Sequence, residues 1–286
     1  MPFGAQDKDA SVPYSPTEDS SLDEVIASFT SALREDAAYR PPEQDESRVT
    51  AQTINLLSQR DPETIAGARA TLDPLGFTTR TGVDAKTGRG FIVIANERAS
   101  DRAWGLYVID TTEQARVVVE VPHPAFDLRT EVIGLELFRA RPGMVLAMAG
   151  THRRVAGGAG DVAHRADSMF HAVTRSFAMR GLPQIQLHGF DDASLAGVDV
   201  VLSPSATKTT DALRDTASRI EDDGFSVCRA WREPCGNLEG RRNEQGVTAA
   251  EHDATFVHVE INKTVRDDPG RWAAIVAVLD AELVGD

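Results

Sequence analysis

Three short apolar runs each carry a residue that can ionise or bind a metal. His123 follows Val117-Val118-Val119-Glu120-Val121-Pro122, His188 follows Ile185-Gln186-Leu187, and Glu260 sits in Phe256-Val257-His258-Val259-Glu260-Ile261. Runs this short and this rich in β-branched residues read as buried strands. An ionisable group at the end of a buried strand loses hydration, so it must be paired, bound to a metal, or opened onto a cleft. Thr130 can cap the apolar-periodic segment Val132 to Phe138, which places Glu131 in the first turn of the helix after the His123 strand. Two histidines and two carboxylates supply a His123, Glu131, His188 ligand set with Glu260 left over. Catalytic zinc sites take three protein ligands, and a spare carboxylate can remove a proton from water beside them. Asp127 is the rival carboxylate ligand and His164 the rival nitrogen ligand. Taken singly, a strand-end histidine is more often a hydrogen-bonded core residue, and Glu131 a helix-start acid stabilised by the helix dipole. It is the conjunction that points to metal.

Other residues could serve a substrate. The loop Asn237 to Gly246 contains Arg241, Arg242 and Asn243, which can hold a carboxylate through paired guanidinium hydrogen bonds. His152 follows a strand beside Arg153 and Arg154 and is a secondary candidate for substrate contact. His171 has helical spacing with Phe170, Val173 and Phe177 and reads as packing, while His252 and His258 have no supporting pattern. A serine-hydrolase reading fails because no Gly-x-Ser-x-Gly elbow is present. Gly157-Gly158-Ala159-Gly160 lacks the lysine and hydroxyl of a phosphate-binding loop.

These side chains need a scaffold of strands and helices. Helical spacing covers Leu22 to Leu33, Val49 to Arg60 and Pro62 to Leu72. Strand-like runs follow at Phe77 to Val83, Gly90 to Ala95, Trp104 to Asp110 and Arg116 to Val121. From residue 116 strands and helices alternate: strands at Met144 to Ala149, Gln184 to Leu187, Val198 to Leu202, Phe225 to Ala230 and Thr255 to Ile261, with helices ending at about Met179, Asp222 and Leu283. Trp231 to Gly246 reads as one long loop. The predicted fold class is α/β, a mixed, largely parallel sheet with helices on both faces. The organisation expected is a disordered tail over 1–21, a helical and strand segment over 22–110 packed on the main sheet, and a catalytic core over 111–286.

The chain has 286 residues, 41% of them apolar, which suffices for a core. Its net charge is −14, of which the first 50 residues supply −7 through eleven acids and four bases. That balance argues against nucleic acid or an anionic membrane as partner, since either needs a basic face. No run is long enough to span a bilayer, and the first residues lack signal-peptide order, so the expectation is cytoplasmic unless a leader has been trimmed. Cys228 and Cys235, with six residues between them, fit one small disulfide or two free thiols; a disulfide would favour a secreted protein. Nothing in the sequence bears on oligomeric state.

Val-Pro-His123, Glu131 opening a helix, the Arg165 and Asp167 helix start, Gln-Leu-His188-Gly and Val-Glu260-Ile-Asn-Lys together resemble zinc-dependent N-acetylmuramoyl-L-alanine amidases. Those enzymes share a phosphorylase/hydrolase-like fold with zinc carboxypeptidases and N-formylglutamate amidohydrolases. The resemblance covers roughly residues 116 to 280 and rests on the order of the motifs. It implies zinc on His123, Glu131 and His188, and Glu260 as the catalytic acid or base, with Arg165 a further substrate-binding candidate. This chain has His123-Pro124 where the amidases usually carry His-Gly-Gly, and it lacks the carboxypeptidase His-x-x-Glu. The expected function is zinc-dependent hydrolysis of an amide bond in a peptide-like or peptidoglycan-like substrate. The alternatives are an N-acyl amino acid deacylase or esterase, and a non-catalytic binding protein on the same fold.

Overall fold

The computed structural model describes residues 21–60, 62–96 and 100–284, so the tail expected over 1–21 lies, except for Ser21, outside the described residues. The strands are β1 (Phe77–Val83), β2 (Gly90–Asn96), β3 (Leu106–Asp110), β4 (Val117–Val121), β5 (Met144–Met148), β6 (Gln184–Phe190), β7 (Val200–Ser203), β8 (Val227–Arg229) and β9 (Phe256–Asn262). They form one open sheet in the order β1-β2-β3-β5-β4-β6-β9-β7-β8. Its centre, β5-β4-β6-β9, is parallel. The β1 to β3 meander joins antiparallel at β5, and β7 joins antiparallel at β9, so the sheet is mixed as expected.

Side chains alternate across a strand, which gives each face its own core. On one face Val119, Val121, Leu146, Ile185, Leu187, Val257 and Val259 pack under the helices Leu22–Ser31, Thr130–Ala140, Asp211–Asp222 and Pro269–Leu279. On the other, Ile92, Ile94, Tyr107, Val118 and Val145 pack against the helices Gln44–Leu57 and Met169–Ala178. The second face changes character along β4, β6 and β9, where Glu120, Gln186, His188, His258 and Glu260 replace apolar residues. The register aligns them: Glu120 faces Gln186, Gln186 faces His258, and His188 faces Glu260.

Two helix starts differ from the sequence reading. Thr130 is the first helical residue; the position before it is Arg129, whose left-handed backbone (φ 79°) reverses the chain into the helix. The expected loop Trp231 to Gly246 ends in a further helix, Glu244–Glu251, whose first turn is capped by Asn243 Oδ1 accepting from the backbone N–H of Gln245 and Gly246. Cys228 and Cys235 are bonded to each other and tie β8 to the start of that loop. Among the described residues, no helix is long and apolar enough to cross a membrane.

A buried ion cluster joins the N-terminal helix to the core. Arg139, its side chain 4% exposed, lies 2.6 Å from Asp23, 2.8 Å from Asp84 and 2.7 Å from Glu136. Removing Arg139 strands the buried Asp84, while Asp23 and Glu136 keep Lys86. Arg139→Met should therefore cost about 3–5 kcal/mol in guanidinium unfolding, and a loss below about 1 kcal/mol, the range of exposed pairs, would contradict this role.

Candidate metal centre

Past β4 the chain turns at once. Pro124 follows His123, and the N–H groups of Phe126 and Asp127 both donate to the His123 carbonyl, at 3.0 and 2.8 Å. This single turn stacks residue 127 over residue 123, as helical spacing would. Asp127 Oδ2 consequently lies 3.3 Å from His123 Nδ1 and 3.3 Å from the Nδ1 of His188, which β6 presents from the neighbouring strand. His123, Asp127 and His188 are all buried, and one donor atom from each lies within 4.8 Å of the others.

The far side of each ring is engaged. His123 Nε2 is 2.9 Å from Asp161 Oδ1, and His188 Nε2 is 2.7 Å from Gln186 Oε1. A neutral imidazole that donates from Nε2 keeps a lone pair on Nδ1. Both Nδ1 lone pairs then meet the Asp127 carboxylate with no proton between them. That donor set, two backed imidazoles and a carboxylate, fits a divalent cation.

The electrostatics follow from burial and neighbours. Burial raises the Asp127 carboxyl, but the two imidazoles beside it, His123 and His188, outweigh burial and hold the group well below the usual carboxylate range. Burial also lowers His123, yet Asp127 and Asp161 leave it above the ordinary histidine value. His188 is pulled down to about 4, first by burial and then by the neighbouring His123, against the pull of Asp127. It is neutral at pH 7.

Two more groups on the sheet join them. The His258 ring lies against His188 with centroids 4.5 Å apart, and His258 Nε2 is 4.0 Å from Glu260 Oε1. His258 Nδ1 and Glu260 Oε2 are buried without a hydrogen-bond partner among the described residues. Burial, then the charge of Asp127, push Glu260 well above the usual glutamate range. All five groups line a cleft of about 390 Å³, roofed by Leu238 and Gly240 and flanked by Arg153.

The structure brings together His123, His188 and Glu260, with Asp127 in the carboxylate position. Glu131 is not brought in. It sits in a separate groove against the N-terminal helix, because the left-handed Arg129 turns it back onto the backbone N–H groups of residues 129 and 131. His164 reaches the rim, its Nδ1 3.1 Å from Asp161 Oδ2, outside the His123, Asp127 and His188 cluster. His152 lines a different cavity and packs edge-on to Phe126. Arg242 lines the cleft mouth with Arg153 and His164; Arg241 is exposed and bonded to Glu239; Arg165 is paired with Asp167 outside the cleft. Asn243 borders the cleft, but its polar atoms are committed to the helix cap and to Gln186. Three contributors had no assigned role in the sequence reading: His258, Asp161 and Gln186. For His258 the signal was present, since a period of two along β9 places it on the face of Glu260.

No family model matches the chain, and no curated protein matches it. Among solved structures it is similar to a gene product of Agrobacterium tumefaciens, at 16% identity over 59% of this chain and 87% of that one, with a TM-score of 0.40. An N-formylglutamate amidohydrolase from Ralstonia eutropha JMP134 aligns at 14% identity over 59% of this chain and 91% of its own, TM-score 0.38. The LapA aminopeptidase of Legionella pneumophila aligns at 12% over 100% of this chain and 79% of its own, TM-score 0.37. The chemistry below rests on this chain's own residues.

A histidine must be unprotonated to ligate. His188 is already neutral at pH 7, so His123, raised above 6.5, sets the window. Zinc affinity, measured by competition with a chromophoric chelator, should be full at about pH 8 and fall steadily below about pH 7. A flat profile down to about pH 5 would exclude His123 as a ligand.

Proposed function

We propose that this protein is a metal-dependent hydrolase of an amide bond in a peptide-like substrate, with zinc held by His123, Asp127 and His188. The observation that carries the reading is the meeting of two imidazole Nδ1 atoms on one buried carboxylate, with Glu260 in the same cleft. A divalent cation in that set supplies Lewis acidity, polarising a carbonyl oxygen and acidifying water.

The residues divide the remaining work. Asp161 and Gln186 hold the two rings in orientation through their Nε2 atoms. Glu260 has a free, buried Oε2 and a pKa well above that of an ordinary glutamate, which suits it to take a proton from the attacking water and return it to the leaving nitrogen. Arg153, 3.1 Å from Asp161 and stacked on Phe126, fixes the wall of the cleft next to His123. At the mouth Arg153 and Arg241 are paired with Asp161 and Glu239, and Arg242 lies beside them, which suits this rim to a substrate carrying a carboxylate.

With a peptide or N-acyl amino acid that is turned over, Glu260→Gln should keep bound zinc and fold while kcat drops on the order of 10²-fold or more. A lower melting temperature with near-normal turnover of the folded fraction would assign Glu260 to structure instead. Replacing Arg241 and Arg242 together by Gln should raise KM for an acidic substrate far more than for its amidated analogue, because uniform binding is what is lost. Equal effects on both substrates would remove carboxylate recognition from these arginines.

A further inference from the structure

His188 offers Nδ1 to a cation only if its proton sits on Nε2, so some feature of the fold must write that tautomer. We infer that Asn243 writes it, acting through Gln186 from a helix N-terminus more than fifty residues away in sequence; this rests on the reading of His188 as a metal ligand.

The chain of hydrogen bonds starts at backbone groups, which cannot exchange donor for acceptor. The N–H groups of Gln245 and Gly246 point at Asn243 Oδ1, at 3.0 and 3.1 Å. That fixes which end of the Asn243 amide is oxygen, and Nδ2 is left to donate to Gln186 Oε1. A second backbone group fixes the other side. The Val162 carbonyl accepts from Gln245 Nε2 at 3.0 Å, so Gln245 presents Oε1 to Gln186 Nε2 at 3.1 Å. Gln186 Nε2 also donates to Glu120 Oε2 at 2.7 Å. Gln186 is thus told twice, from independent anchors, which end is donor and which acceptor. Flipped, it would set Nε2 against Nδ2 of Asn243 and Oε1 against Oε1 of Gln245. In the orientation allowed, both lone pairs of its Oε1 are used, one by Asn243 and one by His188 Nε2–H at 2.7 Å. The lone pair of His188 Nδ1 therefore faces Asp127, 3.3 Å away.

Asn243 is a positioning residue with two separable jobs. Its oxygen caps the helix and its amide nitrogen orients Gln186. Asn243→Asp separates them, because aspartate caps a helix as well as asparagine but opposes Gln186 Oε1 with a second acceptor. The fold should stay intact, with a melting temperature near that of the parent. Zinc affinity should fall about 10–100-fold, the usual cost of removing support behind a ligand. In the metal-free protein, ¹⁵N resonances of the His188 ring should move from a single Nε2–H tautomer to a mixture. In a Gln186→Leu background, Asn243→Asp should add no further loss, since its effect runs through Gln186.

The inference is overturned if Asn243→Asp leaves both zinc affinity and the His188 tautomer unchanged. It is also overturned if the substitution weakens zinc equally with and without Gln186. If the unaltered protein holds no zinc while its His188 tautomer still answers to Asn243, the metal reading fails and the tautomer assignment stands.

Discussion

A row of polar side chains crosses a buried sheet, and the rest of the molecule answers to it. Glu120, Gln186, His188, His258 and Glu260 occupy one face of three adjacent parallel strands, at 8% exposure or less. A buried polar group left unpaired costs about 1–3 kcal/mol, so such a row survives only with partners brought to it. The elements above that face do so. The loop after Cys228 delivers Asn243 and the helix Glu244–Glu251 delivers Gln245, both to Gln186. Three atoms in the row keep no such partner: Glu120 Oε1, deep in the sheet, and His258 Nδ1 and Glu260 Oε2, which belong to residues that line the cleft.

The same geometry drives two carboxyl groups apart. Asp127 lies between two imidazoles and stays ionised at any ordinary pH. Glu260, on β9, is pushed well above the usual glutamate range by burial together with the charge of Asp127. One carboxylate made permanent and one made adjustable is the division of labour that hydrolysis of an amide asks for: an anchor for a cation and a carrier for a proton. Neither role depends on an unusual residue. Both depend on which strand neighbours which.

Much of this was legible in the sequence, for identifiable reasons. Strand-end histidines stood out because their runs were short and β-branched, and Glu260 because it carries an ionisable group inside such a run. The choice between Asp127 and Glu131 was not legible. It turns on a left-handed backbone at Arg129, a conformation that a non-glycine residue rarely adopts and that the sequence does not announce. His258 was passed over as a histidine with no supporting pattern; it is the register of β9 on β6 that sets its ring against His188. Asp161 and Gln186 were invisible in their roles, since support behind a ligand is a matter of tertiary contact. The helix Glu244–Glu251 was hidden by its own composition, a charged and glycine-containing stretch whose only start signal is the asparagine before it.

The central claim is that one buried carboxylate, Asp127, completes a cation site with His123 and His188. Elemental analysis of protein purified without added metal tests it most directly, run in parallel on the parent, Asp127→Ala and Glu131→Ala. The account predicts about one zinc per chain in the parent and in Glu131→Ala, and little or none in Asp127→Ala, where the two imidazoles lose the anion between them. Zinc retained in Asp127→Ala and lost in Glu131→Ala, or no metal in the parent at all, would contradict it.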